Sequence, residues 1–423
     1  MVNDAATIDV PDDLRTAARE AGWPDGLLER ALELRMNRAL LRFFMTDPRV
    51  NAQIVEQVLR QRERIMLGSL RLREAGWQDG EALAELYANA PEEIGEWQVT
   101  VERSPYPFAQ FRLQEHATVH VLEERGVMLA TVAHSIRNTF VGGERVSVHV
   151  PSALRVHRDR RGSGYGGLVS YAEAPEWKWW ANANYWYVRS GNFDAASWMQ
   201  ALQPSTAAAQ PARDGDVPGL PVTVHYLAAR PFDGARTGIR PAHRTDLPQC
   251  IELINRTHAG FDLFRPYCEE FLETRLDDSF WGPRPEWWPR VYTWDDYFVL
   301  EEGGRIVACA GLWDRGAHLR EVWLSRDSGE RRTIECGALM DFGCAEGRED
   351  ALARLIEYLA GATQGLGRER LMAPLEQLPD VLGRLVALVA GSETRSLQWR
   401  MSEQSGALRE LRPARPYTDL AYW

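Results

Sequence analysis

The spacing of apolar and polar positions divides the chain into a helical beginning and a long remainder of mixed character. From residue 11 to about 66, apolar side chains recur at the three- and four-residue spacing of amphipathic helices, with breaks at Gly22–Gly26 and Asp47-Pro48. From Leu67 onwards, alternating runs typical of strands appear between the helical stretches. We therefore expect residues 1–66 to form a helical extension that caps the next domain, supports a homodimer or binds a partner protein.

Short alternating or apolar runs in the remainder predict strands, and amphipathic stretches between them predict helices. In the first part, strands are predicted at 69–73, 118–123, 127–133, 145–156, 184–189 and 222–227, and helices at 79–87, from 167 and at 194–202. In the second part, strands are predicted at 333–344, 370–374, 397–401 and 418–423, and helices at 351–360 and 380–389. The intervening segment 203–219 is rich in Pro, Ala, Gly and Asp, which is typical of an exposed linker.

Two short patterns occur twice, in the same order and at similar offsets. Arg73-x-Ala75-x-x-x-Asp79 recurs as Arg240-x-Ala242-x-x-x-Asp246, and Val121-Leu122-Glu123-Glu124 recurs as Val299-Leu300-Glu301-Glu302. Either match alone is compatible with chance, but both together indicate an internal duplication. We therefore predict two mixed α/β domains of the same fold, at residues 67–232 and 233–423.

A glycine-rich turn follows the predicted strand 145–156 and precedes a predicted helix. Arg161, Gly164 and Gly166 match the pattern Arg-x-x-Gly-x-Gly. Glycines at such a turn let backbone N–H groups approach a ligand, and the helix start adds unsatisfied N–H groups and a positive dipole end. The turn therefore suits a phosphate or pyrophosphate, although its spacing is neither that of a Walker loop nor that of the dinucleotide fingerprint.

With the hydrophobic strand before it, this turn resembles the acyl-CoA pyrophosphate loop of the GNAT acyltransferase superfamily, and residues 240–247 resemble the opening segment of that fold. The resemblance covers residues 67–423. It implies two mixed α/β GNAT-like domains and the transfer of an acyl group, usually acetyl, from acetyl-CoA to an amine. The residues that it assigns to coenzyme A are Leu154, Arg155, Val156, Arg161, Gly162, Ser163, Gly164, Tyr165, Gly166 and Asn192. Asn192 also suits an ordinary helix N-cap.

The second copy of the turn differs where a pyrophosphate would lie. Residues 345–350 contain one glycine and three acidic side chains, Glu346, Glu349 and Asp350. Like charge repels phosphate groups. We therefore expect one acyl-CoA site per chain, in the first copy.

Four residues are candidates for the base that deprotonates the attacking amine: His149, Glu115, His116 and His120. His149 shares the polar face of its predicted strand with Arg145 and Ser147, and an imidazole suits proton transfer near neutral pH. The same position also suits a hydrogen-bonded strand histidine without a catalytic role. Glu115, His116 and His120 are the rivals, and Glu115, beside His116, would act through a water molecule.

The general acid that the resemblance implies has no counterpart at its usual position. In many members of the superfamily a tyrosine lies seven residues after the asparagine, and here that position is Met199. Tyr185, Tyr187 or a water molecule would have to protonate the thiolate, unless no acid is needed. Met199 also supports the alternative of a CoA-sensing or scaffold protein on the same fold, and a different acyl donor remains a third interpretation.

Composition narrows the remaining choices. The chain has 423 residues with Lys+Arg 49 against Asp+Glu 60, a net charge of −11, which argues against nucleic-acid or membrane-surface partners. The five cysteines include no C-x-x-C pair and the start of the chain is polar, so we expect the reducing cytoplasm. The nine histidines show no ligand spacing, so no metal is expected. We therefore predict a cytoplasmic N-acetyltransferase acting on a small-molecule amine.

Overall fold

The computed structural model describes residues 10–34, 36, 41, 45, 52–66, 68–103, 106–171, 181–189, 219–280, 286, 288, 290–401, 411 and 413–423. Its helices are α1 (Asp12–Glu20), α2 (Leu27–Glu33), α3 (Ala52–Met66), α4 (Gly80–Ala88), α5 (Ala109–Arg112), α6 (Tyr165–Tyr171), α7 (Leu247–Thr257), α8 (Glu269–Leu276), α9 (Glu349–Gly365) and α10 (Pro379–Arg384). Its strands are β1 (Arg71–Glu74), β2 (Glu92–Ile94), β3 (Trp97–Glu102), β4 (Thr118–Glu124), β5 (Val127–Val141), β6 (Glu144–Val156), β7 (Ala183–Arg189), β8 (Leu220–Ala228), β9 (Ile239–Pro241), β10 (Tyr297–Glu302), β11 (Arg305–Trp313), β12 (Arg320–Ser325), β13 (Arg331–Ile334), β14 (Cys336–Cys344), β15 (Arg370–Ala373) and β16 (Val389–Met401).

One large mixed sheet holds the two halves of the chain together. It contains 12 strands in the order β1-β4-β5-β6-β7-β16-β8-β15-β14-β11-β10-β9. At its centre the halves exchange strands: β8 from the first half pairs with β15, and β16 from the second half pairs with β7. The mixed α/β class is confirmed. The boundary between 67–232 and 233–423 stays a prediction, because the exchange joins both ranges in one sheet.

The repeated sequence pattern corresponds to a repeated set of contacts. Arg73 donates to both carboxylate oxygens of Asp79 at 2.7 Å and to Glu123 at 2.7 Å. In the second half, Arg240 makes the same bonds to Asp246, at 2.6 and 3.1 Å, and to Glu301 at 2.9 Å. In each copy the arginine therefore ties the first strand of the half to the residue before the next helix and to its partner strand, β4 in the first half and β10 in the second.

A second sheet of four strands, in the order β13-β12-β3-β2, packs beside the large one and also joins the halves, since β3 pairs with β12. The sequence reasoning missed β2, β3 and β12. Its strand over 333–344 is confirmed from Cys336 to Cys344 as β14, but Thr333 and Ile334 belong to β13, which lies in the other sheet. Its strand over 418–423 is wrong: residues 420–422 form a 3-10 turn, and the N–H of Ala421 donates to the side chain of Asp419.

The N-terminal helices pack around their own apolar cluster, which includes Leu14, Ala31 and Leu59. Helix α3 also contacts the first half, because Arg64 donates to the hydroxyl of Tyr165 at 3.0 Å and pairs with Glu124. None of the described helices is long and apolar enough to cross a membrane.

Candidate active site

The glycine-rich turn lies between the end of β6 and the start of α6. Gly162 and Gly164 have φ values of +74° and +78°, a backbone conformation that favours glycine. The first helical hydrogen bond runs from the N–H of Leu168 to the carbonyl of Gly164, at 3.0 Å. The N–H groups of residues 165–167 therefore have no acceptor within the helix. They form the kind of backbone surface that binds an anion.

The space around the turn is suited to a ligand on one side and to close packing on the other. A Cβ atom added at Gly162 or Gly164 would meet nothing within 4 Å. At Gly166, an added Cβ would lie 3.4 Å from the side chain of Val156 and 4.0 Å from that of Leu154. Gly166 thus lets α6 pack against β6, while Gly162 and Gly164 face open space.

The arginines near the turn have different tasks. Arg161 donates to the carbonyl of Pro91, which anchors the turn to the segment before β2. Arg155 pairs with Glu92 and donates to the carbonyl of Leu154 at 2.7 Å, so its side chain is held inside the protein. Arg158 and Arg160 are exposed. The charges available to a ligand above the turn are therefore those of Arg158 and Arg160, whereas the side chain of Arg155 is directed to Glu92.

Strands β6 and β7 pair in parallel over a short stretch and then diverge. Among the described residues their pairs are Val148↔Ala183 and His149↔Asn184. Beyond them, Ala153 has a φ of +53°, β6 shifts register against β5, and residues 151–157 are half-buried. The result is a wedge-shaped opening along one edge of β6, which we call the first wedge. The backbone of Leu154 and Val156 lies on its wall.

His149 lies at the apex of the first wedge and is part of a row of polar side chains across four strands. Its Nδ1 is 2.7 Å from Oδ1 of Asn184, and its Nε2 is 2.9 Å from Nδ1 of His134. The ring of His134 contacts that of His120, with centroids 5.4 Å apart. Because Oδ1 only accepts, Nδ1 of His149 carries the proton, and Nε2 accepts from His134. His134 and His149 are buried, and His120 is half-exposed.

Glu115 belongs to a different cluster. Its carboxylate pairs with Arg265 and lies 3.6 Å from His116, while its backbone N–H donates to the hydroxyl of Tyr422 at 3.2 Å. Arg265, His116 and Tyr422 are thus the contacts of Glu115, and none of them belongs to the row of polar side chains at His149. Glu115 is therefore a weaker candidate than His149.

Of the candidate proton donors on β7, Tyr185 is buried and Tyr187 is half-buried. Arg137 donates to the hydroxyl of Tyr185 at 3.3 Å, and burial raises the pKa of Tyr185. Burial raises the pKa of Tyr187 well above its ordinary value. Both phenols therefore keep their protons at neutral pH. Asn192 and Met199 lie outside the described residues, as do the predicted helix 194–202 and nearly all of the linker 203–219.

Comparison with known structures shows which fold the chain has. No protein-family model matches the chain, and no curated protein matches its sequence. A crystal structure of Saccharomyces cerevisiae N-myristoyltransferase with bound myristoyl-CoA matches at a TM-score of 0.55 and 12% identity, over 78% of this chain and 82% of that one. A second, with bound myristoyl-CoA and inhibitors, matches at 0.54 and 13%, over 84% of each. This chain has a tandem GNAT-like fold. The expected fold is thereby confirmed.

The second half of the tandem GNAT-like fold has its own turn between strand and helix, after β14. Gly347 there has a φ of +70°, like Gly164. Arg348, however, donates to Asp350 and to Glu302, and Glu349 and Asp350 occupy the first turn of α9. The guanidinium of Arg348 is thus paired with carboxylates of the protein itself, and the start of α9 carries negative rather than positive side chains. It therefore offers no anion site of the kind that residues 161–166 form.

The second half also has a counterpart of the first wedge, and it is filled. Asp341 on β14 has a φ of +47° and corresponds to Ala153. It is buried, pairs with Arg275 and accepts from the hydroxyl of Tyr267 at 2.6 Å. Arg275 in turn donates to Asp419 at 2.8 Å. Side chains of the chain itself thus occupy the place that is open in the first half.

Several residues of the site were not found by sequence reasoning. His134 and Asn184, which fix the ring of His149, depend on strand register that no local pattern reveals. Glu92 depends on the hairpin β2–β3, whose sequence signal is the alternation of Trp97, Val99 and Val101 after a Gly95-Glu96 turn. In the described part of the chain, no group of three or more His, Cys, Asp or Glu side chains is arranged to hold a metal ion.

Proposed function

We propose that the chain is an acyl-CoA-dependent N-acyltransferase whose donor binds to the first half. The observation that carries this proposal is the combination of an open first wedge with an open glycine turn at the end of the same strand. By resemblance to the superfamily, the pantetheine arm would pair with Leu154 and Val156, and the pyrophosphate with Arg161–Gly166. The similar fold of N-myristoyltransferase, crystallised with myristoyl-CoA, agrees with an acyl-CoA donor.

In the proposed reaction the amine nitrogen of a small molecule attacks the thioester carbonyl carbon. The carbon–sulfur bond breaks, the amide forms, and the thiolate of CoA leaves and takes up a proton. Backbone N–H groups of β6 stabilise the oxyanion that forms on the carbonyl oxygen. The attacking nitrogen must also lose a proton, which requires a base in or near the wedge.

We propose that the row of polar side chains that starts at His149 takes up the proton that the attacking amine loses. His149 carries its proton on Nδ1 and accepts at Nε2, so it takes up the proton of the amine at Nε2, where the hydrogen bond from His134 gives way, and becomes an imidazolium. His134 in turn contacts His120, which is half-exposed and reaches solvent. The row therefore connects the apex of the wedge with the surface. For the thiolate, Tyr185 is the nearest phenol to the apex on β7, and burial keeps it protonated.

We propose an acetyl group as the acyl part of the donor. Next to the apex, on the opposite face of the sheet, Arg137 bonds Tyr185 and lies over the ring of Tyr422, with 4.8 Å between guanidinium and ring centroid. All three side chains are buried. A long alkyl chain would have to displace these polar contacts and leave them unsatisfied, which costs free energy. An acetyl group requires no such displacement.

A titration with CoA and an acyl-transfer assay together test the proposal. Calorimetry should give one CoA site per chain, and acetyl-CoA with a panel of small amines should release the free thiol. Binding without thiol release for any amine would favour the alternative of a CoA-sensing or scaffold protein. Release from long-chain acyl-CoA but not from acetyl-CoA would reject the acetyl assignment and leave the fold's acyl transfer intact.

A further inference from the structure

A network of buried and half-buried charged side chains joins the two walls of the first wedge to the four-stranded sheet. We call it the arginine cluster. Arg155 extends from β6 and Arg189 from β7, and both reach carboxylates of the smaller sheet, Glu92 and Glu321. The complete set is Arg103, Arg155, Arg189, Arg315, Arg395, Glu92, Glu321 and Glu393.

The charges of the arginine cluster do not balance. Five guanidinium groups face three carboxylates, an excess of two positive charges. Burial lowers the pKa of Arg103 to about 10, and the cations Arg155 and Arg315 lower it further, while Glu92 opposes them. A chain with a net charge of −11 thus carries a local positive excess inside its first half.

The hydrogen bonds of the cluster are also incomplete. Five buried guanidinium nitrogens of the cluster find no partner among the described residues: Nε and Nη1 of Arg103, Nε of Arg155, Nη1 of Arg189 and Nε of Arg315. Buried donors are nearly always satisfied in native proteins, because leaving them unpaired costs stability. Five such donors within one cluster therefore indicate an anionic group that supplies the missing acceptors.

Arg103 shows this most clearly. It is 5% exposed, lies over the rings of Tyr87 and Phe111 at 4.6 and 4.9 Å, and donates to the amide oxygen of Gln110 at 2.8 Å. No carboxylate of the described residues pairs with it. Tyr87 donates to the carbonyl of Ala153 at 3.3 Å, which places Arg103 one side chain away from the wall of the wedge.

We infer that the arginine cluster binds a carboxylate group carried by a substrate of the transfer reaction. This rests on the proposed function, since it places that substrate in the first wedge. The planar fork of guanidinium donors matches the two oxygens of a carboxylate. With acetyl-CoA as the donor, the carboxylate belongs to the acceptor, which is then an amino acid or a similar amine. A dicarboxylic acyl-CoA would supply the same chemical group, and the second experiment tests it as the other source.

The first experiment measures anion binding without turnover or CoA. Thermal unfolding of the chain is followed with sodium acetate or sodium formate in place of sodium chloride, at constant ionic strength. Acetate and formate should raise the Tm of the parent by a few degrees and leave that of Arg103→Met unchanged. Equal Tm values in all three salts for the parent would overturn the inference, and stabilisation by phosphate alone would overturn the carboxylate assignment.

A matched pair of variants separates a ligand-binding arginine from a structural one. Arg112 is also buried but pairs with Asp278, at 2.6 Å. Without any ligand, Arg112→Met should lower the Tm because it leaves a buried carboxylate unpaired. Arg103→Met should raise it, because it removes unsatisfied donors and keeps the packing between Tyr87 and Phe111. A fall in Tm for Arg103→Met as large as that for Arg112→Met would show a structural role.

The second experiment identifies the source of the carboxylate. Acetyl-CoA is offered with glycine against glycinamide, and with other amino acids against their carboxamides. Succinyl-CoA is compared with butyryl-CoA as donor. A preference of at least tenfold in kcat/KM for the amino acid over its carboxamide assigns the carboxylate to the acceptor, and the same preference for succinyl-CoA over butyryl-CoA assigns it to the acyl group. In either case the preference should be lost in Arg103→Met. Turnover with no preference in either comparison would overturn the inference. Acetate binding that depends on Arg103, without any turnover, would reject the proposed function and retain the anion site.

Discussion

The two halves of this protein place very different side chains at equivalent positions of the same strands. Strand pairing and the left-handed residues Ala153 and Asp341 align β4–β7 with β10, β11, β14 and β15. On this alignment, the row His120, His134, His149 and Asn184 corresponds to Phe298, Leu312, Gly337 and Leu371. One half carries a hydrogen-bonded polar row through its sheet, and the other carries apolar residues there.

The difference shows that the fold does not require the histidines. In the second half, a Cβ added at Gly337 would lie 2.8 Å from Oγ1 of Thr363 and 2.9 Å from the side chain of Leu312, because α9 packs closely on the sheet. The second half therefore has close packing of helix on sheet at the position where the first half has His149. Burying two imidazoles in the first half costs free energy that an apolar row would avoid. Their presence beside the open wedge is therefore best explained by chemistry rather than by stability.

The sharpest test of the comparison uses the two equivalent glycine turns. Gly164→Leu should abolish CoA binding, because the side chain occupies the open space above the turn and the positive φ is strained. Gly347→Leu meets the same strain, about 1–2 kcal/mol, at a turn that also has open space. It should cost similar stability and leave CoA binding intact. Calorimetry on both variants decides, and equal loss of binding would mean that the second turn takes part.

The next largest effect concerns the histidine row. His149→Ala should lower kcat by roughly 10²–10⁴-fold and remove the rising limb of the pH profile, while CoA affinity stays near that of the parent. His134→Asn separates the hydrogen bond from the imidazole that makes it, because the amide donates to His149 as Nδ1–H does but is not a titrating group. Glu115→Gln serves as the control. If His149→Ala turns over as fast as the parent at every pH, the row of histidines has a structural role and no role in proton transfer.

How far the sequence predicts this molecule depends on the range of the contacts. The glycine turn and the Arg73–Asp79 and Arg240–Asp246 repeats were predictable because the interacting residues are close together in the chain. The strand exchange between β7, β8, β15 and β16 was not, because it depends on pairing between residues more than a hundred positions apart.

In the candidate site, too, the residues with a local sequence pattern were predictable and those that depend on distant contacts were not. The glycine turn and His149 were found from local pattern, and Glu115 was given a role although it pairs with Arg265, away from the row of polar side chains at His149. The arginine cluster was not predicted from the sequence, because its charged residues are far apart in the chain and lie on two different sheets. Residues such as Arg103 and Glu321 carry no sequence signal that distinguishes them from surface charges.

A smaller effect distinguishes the filled wedge from the open one. Asp341→Asn keeps a residue that tolerates positive φ but removes a buried charge from Arg275, which retains Asp419. It should lower the free energy of unfolding by about 3 kcal/mol. Ala153→Asn, at the equivalent half-buried position, should change it by no more than about 0.5 kcal/mol. Denaturant unfolding measures both, and equal costs would contradict the view that only the second wedge is filled.

The smallest effect concerns the feature that the halves share. Arg73→Ala and Arg240→Ala remove the same partly exposed contacts and should each cost about 1 kcal/mol. They lie on β1 and β9, the opposite edges of the 12-stranded sheet, which a strand spacing of about 4.8 Å separates by roughly 50 Å. The double variant should therefore lose the sum of the two, within about 0.5 kcal/mol.

The pH dependence of these variants follows from the paired carboxylates. The hydrogen bonds from Arg73 and Arg240 hold the pKa values of Asp79 and Asp246 below the ordinary 3.8. The stability that each pair contributes is therefore present above about pH 4 and is lost as the pH falls further. The double variant should show a weaker loss of stability in that acidic range than the parent, measured by denaturant unfolding at a series of pH values. A cost in one half much larger than in the other would show that the shared contacts have diverged along with the wedges.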